Sequence, residues 1–193
     1  ARKCGIDNVL IVDYEEKAGG FAKDLFDTDE FAQEKEMMAQ AAELPYEFRY
    51  RTTVVGLYPG ENENPHQVNL QSPVGSEDIE AERILLCSGS LEKPREAHLV
   101  PGSRPAGIMT PIMAAQMLRR GYIPGNRIIA FGRGRLVKSA VRLLEQYNCR
   151  TEWVDVDEWQ ITRIVGHRRI EKIALRHRKT SEERVAELDT LIF

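Results

Sequence analysis

One order of patterns occurs twice along this chain, and it constrains the fold more than any single motif. The apolar run Val9 to Val12 in "NVLIVDYEE" closes in an acid, Asp13, and is followed by alternating strand patterns and then the apolar "EAERILLCSGS". Later, Ile128 to Phe131 and the acid-ended "CRTEWVDVD" are followed by further strand patterns and the apolar "VAELDTLIF". Short apolar runs bounded by turn signals fit parallel strands covered on both faces, whereas period-two alternation fits strands with one wet face. Each round therefore reads as a buried strand with a terminal acid, an antiparallel β-meander and an apolar strand returning to the sheet. The expectation is an α/β fold, Rossmann-like parallel sheets carrying β-meanders, built twice.

Local signals place the elements. After the acidic turn "DTDE", "FAQEKEMMAQAAEL" has the spacing of a surface helix through Phe31, Met38 and Ala42. Phe48, Tyr50, Thr52 and Val54 alternate with polar residues as one strand; "QVNLQS" is a second, "PVGSED" a turn, and "EAERILLCSGS" a strand entering a core. The proline- and glycine-rich "KPREAHLVPGSRPAG" has the composition of a linker between lobes. In "TPIMAAQMLRRG", Thr110 is the expected N-cap, Pro111 the first helical residue and Gly121 the stop, with the methionines as core filling. The stripe Leu136, Ala140, Val141, Leu144 and Tyr147 predicts a helix after the next glycines, and "WQITRIVGHRRIEKIALRHRK" a second meander.

The stretch "RIIAFGRGRLVKS" has the grammar of a dinucleotide-binding crossover: strand, glycine turn, helix. In such a turn one glycine permits the tight bend, a second lets a pyrophosphate approach the backbone, and a third lets helix and strand pack closely. Gly132 and Gly134 meet the first two demands, while Val137 stands at the third and predicts a helix that stands off or tilts. The free N–H groups and dipole of the helix N-terminus suit phosphate, with Arg133 and Arg135 as extra positive charge. About twenty residues on, an acid is wanted for the ribose hydroxyls, and Asp155 or Asp157 arrives there, favouring NAD over its 2'-phosphorylated relative. In the first half Asp13 stands where a ribose-binding acid would, and "ARKCG" reads as the crossover helix before it, with the first strand and its phosphate loop either removed or supplied by another segment.

Composition narrows the function classes. The 193 residues are 42% apolar and 30% charged, with a net charge of -3, which gives no global attraction to nucleic acid or anionic membrane. The basic cluster Arg168, Arg169, Lys172, Arg176, Arg178 and Lys179 lies among acids without interleaved aromatics, and reads as a water-facing strand pair rather than a nucleic-acid surface. No apolar run approaches the ~18 residues of a membrane span, and no signal-peptide pattern opens the chain, so a cytoplasmic protein is expected. Cys4, Cys87 and Cys149 lack a C-x-x-C pair, and the four histidines lack metal spacing. Reduced, mostly buried thiols and no metal are expected.

The residues quoted above resemble the FAD-dependent pyridine nucleotide-disulfide oxidoreductases, and the resemblance covers nearly the whole chain. "VLIVDYEEKAGG" is similar to the second FAD-domain strand, "RTTVVGLYP" to the meander strand beside the adenine, and "RILLCSGSLEKP" to the strand motif usually read Ala-Thr-Gly. "VPGSRPAGIMTPIMAAQMLRRGYIPGNRIIAFGRG" most resembles FAD-binding subunits of amine, opine and sarcosine-type oxidases and the flavoproteins accompanying anaerobic glycerol-3-phosphate dehydrogenase. The resemblance implies two interleaved dinucleotide-binding domains, both incomplete here: residues 1–105 as a partial FAD-binding domain and 106–193 as a partial NAD(P)-binding domain. The FAD phosphate loop and the closing FAD segment have no counterpart in this stretch, so it resembles the middle of such an enzyme.

Carried over residue by residue, the resemblance implies that Asp13 binds the adenosine ribose, Val54 borders the adenine, and Ser88 and Gly89 lie near the flavin nucleotide. Gly132, Gly134 and Asp155 would serve NAD(P). It implies FAD and NAD(P) as cofactors, a small-molecule substrate, and partner subunits or a homo-oligomer. Without a redox cysteine pair, the expected chemistry is hydride or electron transfer through flavin, with no catalytic acid or base picked out by a motif. The alternative is a non-catalytic scaffold of the same fold that has lost its cofactors.

Overall fold

The computed structural model describes residues 4–20, 23, 29–61 and 64–193. The first three residues of "ARKCG", and Asp27 and Thr28 of the acidic turn, lie outside the described residues. The chain forms two compact units, residues 1–23 with 36–90 and residues 24–35 with 91–193. The boundary expected at 105/106 falls inside the second unit, which resumes at Leu91.

In the first unit, β1 (Leu10–Val12) pairs in parallel with β2 (Glu47–Arg49). The chain between them includes α1 (Ala32–Ala42), whose residues up to Lys35 are counted with the second unit and the rest with the first; it buries no residue, as expected of a surface helix. Strands β3 (Thr53–Tyr58), β4 (His66–Ser72) and β5 (Gly75–Ala81) form an antiparallel meander in that order. Val68 and Leu70 of β4 are buried, because a central strand is flanked on both sides while its neighbours keep an open edge.

Two expectations for this unit are corrected. The alternation from Phe48 to Val54 is not one strand: Arg51 adopts φ 52°, a left-handed conformation that breaks the extended run between β2 and β3. Side-chain alternation survived the break, so the pattern concealed it. Residues 83–90 form no strand either, and Leu85 and Leu86 are 86% and 74% exposed. An apolar run becomes a buried strand only where a neighbouring edge and an apolar cover are available, and among the described residues β1 and β2 form a sheet of only two strands. The strand lies earlier: β5 begins at Gly75, inside the "PVGSED" read as a turn, and ends at Ala81 paired with β4.

The second unit is layered around a four-stranded parallel sheet of order β6-β12-β7-β8: β6 (Ile108–Met109), β7 (Ile128–Phe131), β8 (Thr151–Val154) and β12 (Thr190–Ile192). β12 and β7 are buried at every residue, the signature of central strands covered on both faces. On one face, Ile129, Phe131, Leu191 and Phe193 join Ile161, Ile164, Ile170, Ile173 and Leu175 from an antiparallel meander in one cluster. That meander is β9 (Trp159–Gly166), β10 (Ile170–His177) and β11 (Glu183–Glu187). Each such aliphatic side chain contributes about 1.5–3 kcal/mol on full burial, so this interlayer stabilises the unit. Phe131 and Phe193 meet edge to face at 6.3 Å, and His98 stacks on Phe193 at 4.6 Å.

Helix α2 (Pro111–Arg119) starts and stops as its sequence predicts: Thr110 accepts the Met113 N–H at 3.3 Å, Pro111 is the first residue, and Gly121 follows the end with φ 82°. A second cap comes from afar, since the Glu92 carboxylate accepts the Ile112 N–H at 3.0 and 3.2 Å. The buried face is Ala114, Ala115 and Leu118; Met113 is 52% exposed, so the methionines do not supply the core as expected. Helix α3 (Arg135–Gln146) buries Val137, Ser139, Ala140, Leu143 and Leu144, a face rotated from the predicted stripe, with Tyr147 38% exposed.

Two more readings change. Cys4 and Cys87 are exposed and Cys149 is half-buried, so the thiols are not core residues. The segment read as a linker is docked on the meander: Pro101 O accepts the Ile164 N–H, Ile164 O accepts the Ser103 N–H, and Ala106 exchanges backbone bonds with Arg168 and Ile170, all at 2.9–3.0 Å. Its prolines and glycines serve an irregular edge rather than a free tether. Among the described residues no helix is long and apolar enough to cross a membrane, and no cluster of three or more potential metal ligands occurs.

Candidate dinucleotide-binding site

The glycine turn lies between the end of β7 and the start of α3. Gly132 N–H continues the sheet by donating to Val154 O at 3.1 Å. A Cβ at residue 132 would lie 2.9 Å from Val137 Cγ2, so Val137 occupies the room that the glycine vacates. Val137 is 5% exposed, and α3 packs closely instead of standing off; this corrects the expectation drawn from the missing third glycine. Close packing needs one small partner at the contact, and here Gly132 supplies it.

Gly134 caps α3 with φ 87° and ψ -178°, a region essentially reserved for glycine, and it offers no side chain to the helix amides. Among the described residues no atom beyond Gly134 and its chain neighbours lies within 4 Å of where its Cβ would be. Among the described residues no side chain caps the first-turn N–H groups of α3, and the positive end of the helix dipole stands behind them, the arrangement that suits an anion.

The expected cationic partners are already engaged. Arg133 binds both oxygens of Asp157 at 2.9 and 3.1 Å. Arg135 binds Glu34 at 2.5 Å and the Glu30 carbonyl at 2.8 Å, with its guanidinium 4.4 Å from the centre of the Phe31 ring. Bonding to Arg135 holds the Glu34 carboxyl below the usual range. Asp155 follows β8 directly; its carboxylate accepts the Asp157 N–H at 2.8 Å and its carbonyl the Trp159 N–H at 2.9 Å, so one tight turn presents both acids.

No protein-family model and no curated protein matches the chain. Solved structures do match at low identity. L-proline dehydrogenase from P. horikoshii is 16% identical with a TM-score of 0.64, covering 96% of this chain and 36% of its own. Thioredoxin reductase from Lactococcus lactis is 13% identical with a TM-score of 0.59, covering 99% and 70%. The ornithine N-hydroxylase of Kutzneria sp. 744, with reduced FAD, NADP+ and L-ornithine, is 11% identical with a TM-score of 0.51, covering 83% and 57%. The fold is that of the FAD/NAD-binding Rossmann-type oxidoreductases. The chain spans 36% and 57% of the dehydrogenase and the hydroxylase.

Within this fold, the residues singled out in sequence divide between the units. Gly132, Gly134 and Asp155 belong to the second, where adjacent parallel strands β7 and β8 deliver the turn and the acid to the same sheet end. Asp13, Val54, Ser88 and Gly89 belong to the first. Asp13 ends β1, its carboxylate accepting the Glu15 N–H at 2.9 Å and its carbonyl the Thr52 N–H at 3.0 Å. Val54 lies on another sheet, opposite Leu70 and 45% exposed; Ser88 and Gly89 are exposed outside any strand.

Sequence reasoning missed Trp153, Glu34 and Phe31. Trp153 Nε1 donates to the Gly132 carbonyl at 3.0 Å, and its place two residues before the acid of a strand was the available signal. Glu34 and Phe31 reach Arg135 across about a hundred residues of chain, which no local pattern encodes.

Proposed function

We propose that this chain is part of an FAD-dependent oxidoreductase that moves hydride or electrons between a small amine or hydroxy substrate, a flavin, and a nicotinamide or protein acceptor. The observation that carries the reading is the Gly132–Gly134 turn, where among the described residues Gly134 has room at its Cβ position and no side chain caps the helix amides. A dinucleotide fits this donor set: the α3 amides would hold its pyrophosphate, and Asp155 would accept from the adenosine ribose hydroxyls. A second acid, Asp157, adds negative charge beside Asp155 and disfavours a 2'-phosphate, so NAD is preferred over NADP. Bound flavin and nicotinamide would supply the hydride-transfer chemistry.

In the first unit, Asp13, Val54, Ser88 and Gly89 are assigned to FAD, with Asp13 towards the ribose and the exposed face of Val54 towards the adenine. The likeness to FAD-binding subunits of amine, opine and sarcosine-type oxidases supports a small amine or hydroxy substrate and partner subunits or a second copy. The test is spectroscopic and calorimetric: purified full-length protein should show the flavin absorption bands, and this chain should bind NADH or ADP-ribose. Protein that carries no flavin and takes up no added FAD would sink the proposal.

A second reading, a scaffold of the same fold without cofactors, is favoured by the internal pairing of Arg133 with Asp157 and Arg135 with Glu34. Specific NADH binding that Gly134→Asp abolishes would dispose of it.

A further inference from the structure

We propose that Trp153 is a positioning residue of the phosphate-binding turn: its indole N–H fixes the Gly132–Arg133 peptide so that the Arg133 N–H becomes a donor to a nucleotide pyrophosphate. The inference rests on the dinucleotide reading above and adds a residue that the glycine pattern does not contain.

Gly132 is held from three directions. Its N–H is bound to Val154 O at 3.1 Å, its Cα faces Val137, and its carbonyl accepts from Trp153 Nε1 at 3.0 Å. A glycine followed by a second glycine two residues later would otherwise leave this peptide free to rotate. A rotated peptide would aim a carbonyl, rather than an N–H, at an incoming anion.

The peptide bond is trans, so its C=O and N–H point to opposite sides. Fastening the carbonyl to Trp153 therefore turns the Arg133 N–H away from the indole. Among the described residues that N–H makes no backbone hydrogen bond, as expected of a donor kept for a ligand. Strand register explains the reach: Trp153 lies opposite Ala130 on the neighbouring strand, and Val154 opposite Phe131, so the long indole spans the two-residue offset to Gly132. Phenylalanine has no donor to span it with.

Trp153 is not a core residue, yet its polar atom is bonded. The residue is 45% exposed, and the Lys138 ammonium lies over its ring at 5.7 Å. Its polar atom is used even though its apolar body is half in water.

The test uses the 193-residue chain, ADP-ribose as probe, and the Trp153→Phe variant, which keeps a ring and loses the N–H. Calorimetry should give about 3- to 10-fold weaker ADP-ribose binding, the effect of one lost hydrogen bond. In amide NMR spectra the Arg133 N–H should move downfield on adding ADP-ribose to the wild type and move less in the variant, with the remaining spectrum conserved. Equal affinities and equal Arg133 shifts would overturn the inference while leaving the dinucleotide reading intact. Wild-type protein that does not bind ADP-ribose overturns both. Should the variant not fold, the wild type decides: an Arg133 amide that ignores ADP-ribose, or a Trp153 indole N–H that exchanges as freely as that of an open side chain, overturns the inference.

Discussion

Val137 Cγ2 lies where a side chain on Gly132 would have to go, 2.9 Å from the position of its Cβ. The contact exchanges the usual arrangement, in which a small residue on the helix meets the strand end. Here the helix carries the bulk and the turn carries the gap. Gly132→Ala should therefore destabilise the protein by about 1–3 kcal/mol through overpacking. Removing the two Val137 methyls in the same molecule should recover part of that loss, so the double variant should be more stable in urea than the sum of the single variants predicts.

At Gly134 the constraint is conformational. With φ 87° and ψ -178°, a Gly134→Ala change should cost about 1–3 kcal/mol although its methyl meets nothing. Gly134→Asp adds a carboxylate in front of the α3 amides and should weaken ADP-ribose binding more than tenfold in calorimetry, beyond the loss in the alanine variant.

The Arg133–Asp157 pair is exposed on both sides, at 70% and 62% of its side chains, and should matter little to stability. Its consequence is for nucleotide choice. Asp157→Asn releases Arg133 and removes one negative charge beside Asp155, so the NADP+ to NAD+ affinity ratio should rise about tenfold, with the melting temperature nearly unchanged. An unaltered ratio in calorimetric titrations would refute this role.

Glu92 predicts a pH dependence. Burial pushes its carboxyl up from the ordinary 4.5, against the opposing hydrogen bonds from Thr110 and Ile112. A carboxyl with a raised folded value binds its proton more tightly in the native state, so stability is greatest below the unfolded value and falls as pH rises through the folded one. Wild-type stability in urea should carry this downward component above the usual glutamate range. Glu92→Gln should remove it.

Legibility differed from element to element. Helix α2 was readable because Thr110, Pro111 and Gly121 act on their own backbone neighbours. β7, the glycine turn and the acid after β8 were readable because alternation, turn geometry and strand length are also local. The 83–90 run was misread: Leu85 and Leu86 have the composition of a buried strand, and composition does not say whether a neighbouring edge exists. Arg51 was misread because a left-handed residue leaves side-chain alternation intact. In the site, Gly132, Gly134 and Asp155 were legible, while Trp153 was not, since its partner lies 21 positions away on the adjacent strand.

By itself the sequence determined the strand–turn–helix at residues 128–146 and the residues that begin and end α2. Each depends on interactions within a few residues, where backbone sterics and nearest-neighbour hydrogen bonds dominate. Only the tertiary structure decided that β12 inserts between β6 and β7, that residues 101–107 dock on β9, and that Arg133 and Arg135 are held by Asp157 and Glu34. Those outcomes depend on which surfaces distant segments bring together. Burial and ion pairing are properties of that encounter rather than of either segment alone.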